Sequence, residues 1–90
     1  MTDRYTIVHY TENGKDIFQD WLDKLRDYRG RKAVQNAIDR AEEGNLGVHH
    51  FCRDEVWEFV INTGPGYRVY YQRTGRKPLA LATGMNALNP

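Results

Sequence analysis

The feature that most constrains this chain is a change of hydrophobic period at Val48. Before it, apolar residues recur three and four apart. Ile17, Phe18, Trp21, Leu22, Leu25 and Tyr28 form one stripe, and Ala33, Val34, Ala37, Ile38 and Ala41 form another. That spacing aligns one face of a helix. After Val48, bulky and polar residues alternate, which is the period of a strand with one buried face. A run of helices followed by a run of strands predicts an α+β fold, with helices segregated to one face of a sheet.

Local signals place the boundaries. Arg4–Tyr10 is β-branched and aromatic and reads as a first strand. Asn13 can cap the first helix, with Asp16 favouring its positive end. Gly30 interrupts, and a second helix is expected from about Arg31 to Glu43, closed by Gly44 at a left-handed terminus. Its alanine-rich stripe lets the two helices approach closely as a hairpin. A short strand near Val48–Cys52 leads through Arg53-Asp54 into a stronger one, Glu55–Ile61. Asn62-Thr63-Gly64-Pro65-Gly66 is turn chemistry, with proline fixing the first corner angle and Gly66 supplying a positive φ. Tyr67–Arg73 is the next strand, Thr74-Gly75-Arg76 another turn, and Pro78–Thr83 the last strand. The expected order is β-α-α-β-β-β-β, a helical hairpin on one face of an antiparallel sheet. Such a sheet keeps a second face for water or a ligand.

Alternation assigns residues to those two faces. Trp57, Phe59, Ile61, Tyr67, Val69 and Tyr71 should meet the helices, the two tyrosines carrying their hydroxyls to the rim. Glu58, Val60, Arg68, Tyr70 and Gln72 should lie on the open face. Arg68 and Tyr70 there offer a cation for phosphate and a ring or phenol for a base or a proton.

Composition narrows the setting. Ninety residues fit one domain, 1–90, with one modest core. No apolar run approaches the roughly 18 residues of a membrane span, and MTDRYTIVHY lacks a signal-peptide pattern, so a cytoplasmic location is expected. The lone Cys52 fits a reducing compartment and a small buried hydrophobic role. Net charge is +1, yet residues 1–58 hold nine Lys/Arg against twelve Asp/Glu, and residues 59–90 hold Arg68, Arg73, Arg76 and Lys77 with no acid. The asymmetry points to a polyanion or an acidic partner at the C-terminal part. Adjacent strand residues face opposite ways, so His49 and His50 are poorly placed to share a metal, and none is expected. No Gly-rich phosphate loop links a strand to a helix, so no cofactor is expected either.

Four segments together carry a family resemblance: Trp21–Asp27 (WLDKLRD), Arg31–Gly47 (RKAVQNAIDRAEEGNLG), Val56–Phe59 (VWEF) and Gly64–Tyr71 (GPGYRVYY). In this order and spacing, to about Ala82, the chain resembles the HigB-like branch (addiction module killer proteins) of the RelE/ParE toxin superfamily. That resemblance implies the RelE-like two-layer fold and the toxin role of a bacterial type II toxin–antitoxin pair. It also implies metal-independent mRNA cleavage on the ribosome and a cognate antitoxin, a small helix-turn-helix protein. The chemistry is attack of a ribose 2′-hydroxyl on the adjacent phosphate, which needs a base, an acid and positive charge.

By the resemblance, Arg68 falls on the family's strand arginine, and a planar guanidinium matches phosphate oxygens. Tyr70 is a candidate for stacking or proton transfer, and Glu58 matches the glutamate of the family's Glu-Leu-Arg segment. Arg68, Arg73, Arg76 and Lys77 are the candidate RNA contacts. The chain departs from the pattern at Glu58-Phe59-Val60, where the family's second arginine is replaced by Val60. It departs again at Thr83–Pro90, which lacks the family's lysine-bearing segment and short helix. Two readings follow: an endoribonuclease toxin with a reduced residue set, or a non-catalytic module that titrates an antitoxin or inhibits a protein target.

Overall fold

A computed structural model describes residues 4–73 and 75–86. The chain is α+β, with two helices packed on a mixed five-stranded sheet. Strand β1 (Thr6–His9) is followed by a two-stranded ribbon, β2 (Thr11–Glu12) and β3 (Lys15–Asp16), then α1 (Ile17–Lys24) and α2 (Tyr28–Glu42). Strands β4 (His49–Arg53), β5 (Val56–Ile61), β6 (Tyr67–Arg73) and β7 (Pro78–Asn86) complete it, and the sheet order is β1-β7-β6-β5-β4.

The sheet is not wholly antiparallel as expected: β4 to β7 form an antiparallel meander, but β1 pairs with β7 in parallel. The helices carry the chain from one edge to the other, and the four-strand meander returns it beside β1 running the same way. Periodicity fixes faces, not strand order, so this pairing left no trace in the hydrophobic pattern.

Asn13 does not cap a helix. Asn13 and Gly14, at φ 53° and 77°, form the tight corner of the β2–β3 ribbon, a two-residue turn with both residues left-handed. The cap is Asp16, whose Oδ1 accepts the Gln19 N–H at 3.0 Å. Helix α1 also ends early, with Leu25 already extended at ψ 116°, so Tyr28 opens α2 and stands 66% exposed.

Gly30 lies inside α2 rather than between the helices. Glycine costs a helix about 1 kcal/mol relative to alanine, so something must require it. The requirement is Tyr67, whose ring occupies the space a Cβ would need. Gly84 serves the same purpose in β7, where the Trp21 ring lies directly on the backbone.

The core forms between the helices and one sheet face. Phe18 and Leu22 of α1 and Val34 and Ile38 of α2 meet Phe59, Tyr67, Val69, Tyr71, Leu79 and Leu81, all buried. Phe59 and Tyr71 stack with ring centres 4.3 Å apart. Tyr67 sends its hydroxyl to Asp27 Oδ2 at 2.7 Å, joining β6 to the start of α2. Tyr71 does not reach the rim as expected: its hydroxyl is buried and has no partner among the described residues.

The Gly-Pro-Gly corner is one residue earlier than its spacing predicts. Gly66 N–H donates to Thr63 O at 3.0 Å, which puts Gly64, at φ 57°, at the first corner and Pro65 at the second. Gly66 does supply a positive φ, 89°. Strand β7 continues past Thr83 to Asn86, with a register shift against β6: Tyr70 pairs with Thr83 but Tyr71 with Leu81, leaving Ala82 as an extra residue. Thr74, in the expected β6–β7 turn, and Ala87–Pro90 of the divergent C-terminal segment lie outside the described residues.

Candidate functional site

The face away from the helices is set by strand register. Opposite Arg68 stand Val60 on β5 and Met85 on β7, and opposite Tyr70 stand Glu58 and Thr83. Directly opposed residues share a face, so Glu58, Val60, Arg68 and Tyr70 are together there, as alternation requires. Trp57, Phe59, Tyr67 and Val69 are on the helix side.

The open face is not a field of free charges. Arg68 Nη1 donates to Glu58 Oε1 at 2.8 Å, and the Arg68 side chain is 42% exposed while that of Glu58 is 9% exposed. Glu58, expected on an open surface, is therefore nearly enclosed by its neighbours. The hydrogen bond from Arg68, and the charge behind it, pushes the guanidinium further up from its usual value. Burial first, and the Glu58 charge second, push the Tyr70 phenol up, so it keeps its proton at neutral pH.

Two further residues complete the cluster. His50 lies directly opposite Glu58 on β4, while His49 packs near Trp57 on the other side, so the adjacent histidines do face opposite ways. Cys52 falls at a register shift between Phe51 and Arg53 and is exposed, not the buried hydrophobe expected. Packing around its sulfur, with the Glu58 charge added, pushes its thiol up, which disfavours the reactive thiolate. The signal for His50 was available: a tight β4–β5 hairpin carries the parity of Glu58 onto it. The bulge hides the position of Cys52.

The other candidate cations lie elsewhere. Arg73 points to the helix side, its guanidinium 5.4 Å from the Tyr5 ring centre and 5.4 Å from that of Trp57. A cation held between two rings is occupied by them. Arg76 and Lys77 are exposed in the β6–β7 connection. Arg68 is thus the one member of the expected RNA-contact set on the face of Glu58 and Tyr70.

Among the described residues, no group of three or more His, Cys, Asp or Glu is clustered to hold a metal ion. No described helix is long and apolar enough to cross a membrane.

No family model matches the chain. An uncharacterized protein of Haemophilus influenzae is similar, 38% identical over 53 residues, which cover 59% of this chain. The match spans about half of that protein's length, 54%. No solved structure matches.

Proposed function

We propose that the chain is the toxin component of a type II toxin–antitoxin pair, with a RelE-like fold and an RNA-facing sheet surface centred on Arg68. The observation that carries this reading is a part-exposed arginine beside a protonated phenol and a carboxylate, on the sheet face the helices leave open. The residue order around GPGYRVYY and the two helices packed on the opposite face support it.

In this reading a ribose 2′-oxygen bonds to the adjacent phosphorus and the bond from phosphorus to the 5′-oxygen breaks. Glu58 accepts the proton of the attacking hydroxyl, and Tyr70 donates one to the leaving oxygen. Arg68 stabilises the charge that develops on the phosphorane between those steps. No metal takes part, and the partner is a cognate antitoxin.

A second reading, a non-catalytic module that titrates an antitoxin or inhibits a protein target, is favoured by one observation. The cross-strand neighbours of Arg68 are the apolar Val60 and Met85, so neither directly opposed position supplies a second cation.

Primer extension on a translated reporter mRNA with purified ribosomes separates the two. On the enzyme reading, Arg68→Ala lowers cleavage by a factor of about 10²–10³, and Val60→Arg raises it. Cleavage that persists undiminished in Arg68→Ala removes Arg68 from the site. Silence of the parent and both folded variants selects the binding module.

A further inference from the structure

We infer that Glu58 determines what the Arg68 face will hold, as a built-in carboxylate that competes with a phosphate for the guanidinium. The inference rests on the reading of Arg68 as a phosphate contact and gives that contact a selectivity.

Glu58 is well placed to compete. It takes the Nη1 edge of Arg68 at 2.8 Å, a distance expected of a charge-assisted hydrogen bond. Its side chain is 9% exposed, so water cannot readily replace the arginine as its partner. The groups facing it are Arg68 and Tyr70 on β6 and His50 and Cys52 on β4. Arg68 is the only permanent cation among them. Glu58 is the nearly buried member of the pair, and taking its partner away strands its charge, which is costly. A phosphate that drew Arg68 away would therefore leave Glu58 uncompensated, and one that bound beside it would meet the Glu58 charge.

Among these groups the one permanent cation, Arg68, is offset by the one carboxylate, Glu58. A lone phosphate monoester or a free nucleotide gains little from such a site. A single-stranded polymer gains more, because its neighbouring phosphates and bases find contacts outside the cluster. Glu58 thus sets a threshold that favours a nucleic-acid strand over small anions. Replacing it by the isosteric glutamine lowers the threshold without reshaping the face.

The test measures binding by fluorescence anisotropy for a short single-stranded RNA and for a free nucleoside monophosphate, at one pH and several salt concentrations. Relative to the parent, Glu58→Gln is expected to bind the RNA about ten- to a hundredfold more tightly, the value of a hydrogen bond to a charged group. Its salt slope should steepen by about 0.7, one further phosphate neutralised on a single strand. The mononucleotide should gain proportionally more than the RNA. Adding Arg68→Ala to Glu58→Gln should abolish the gain. Glu55→Gln, which removes an acid from the β4–β5 turn, should leave affinity near that of the parent. Circular dichroism confirms that each variant is folded, and Glu58→Ser provides a second way of removing the carboxylate. RNA binding that depends on Arg68 but does not tighten in Glu58→Gln or Glu58→Ser overturns the competition and leaves the RNA reading intact. A gain that survives Arg68→Ala also overturns it. Absence of RNA binding in every folded protein, Glu58→Gln included, overturns both.

Discussion

At the scale of single residues, two buried tyrosines in one strand differ in a way that sequence alternation does not reveal. Tyr67 and Tyr71 have the same parity and are both buried, but among the described residues only Tyr67 finds a partner for its hydroxyl. Removing a buried hydroxyl that lacks a partner also removes its desolvation cost, so Tyr71→Phe should raise stability by about 1–2 kcal/mol in urea unfolding. A loss would mean that the hydroxyl is satisfied. Tyr67 behaves differently because its partner titrates. The Tyr67 hydroxyl first, then the N–H groups of Gly30 and Arg29, hold the Asp27 carboxyl below its usual range. A depressed carboxylate contributes stability that is complete above the ordinary aspartate value near about 4 and is lost as pH falls through the depressed value. Tyr67→Phe should therefore destabilise the protein at neutral pH, and the difference from the parent should narrow in urea melts at acid pH. A pH-independent difference would assign the effect to packing alone. The alternation of Val56–Ile61 and Tyr67–Arg73 made the two faces legible. It could not show that Arg68 is bound to Glu58, because side-chain pairing across strands depends on register as well as parity.

At the scale of elements, the helices were legible in their stripes but not in their ends. Asn13-Gly14 carries both a helix-cap signal and a hairpin signal, and strand pairing decided between them. Gly30 looked like an interruption because a glycine weakens an isolated helix, whereas here a long-range neighbour requires it. The competing magnitudes can be tested. Gly30→Ala gains about 1 kcal/mol of helix propensity. Against that stands the displacement of a Tyr67 ring that Asp27 and the core hold in place, and forced overpacking costs about 1–3 kcal/mol or more. The net effect should be destabilising, read as a lower urea midpoint at unchanged slope. A stabilised Gly30→Ala would show that the ring can move aside.

At the scale of the whole molecule, the parallel pairing of β1 with β7 brings Ile7 beside Leu79 and joins distant parts of the chain. The helices and the β4–β7 meander can form through shorter loops, and long closures are rewarded only after their entropy has been lost. Strand β1 should therefore dock late. Ile7→Ala should speed unfolding far more than it slows folding in stopped-flow chevrons, and a mainly slowed folding limb would place β1 in the nucleus. The β6–β7 pairing has a different consequence, which turns on the extra residue Ala82. Leu79 and Leu81 reach the core from odd positions, yet Gly84 meets Trp21 from an even one. Ala82 thus acts as a phase shifter within one strand. Deleting it would let Thr83 follow Leu81 directly, so that Leu81, Thr83, Gly84 and Met85 alternate regularly opposite Tyr71, Tyr70, Val69 and Arg68, the partners they already have. A one-codon deletion there would straighten the strand and spare the surface around Arg68, whereas the same deletion between Thr83 and Asn86 would have no surplus residue to absorb it.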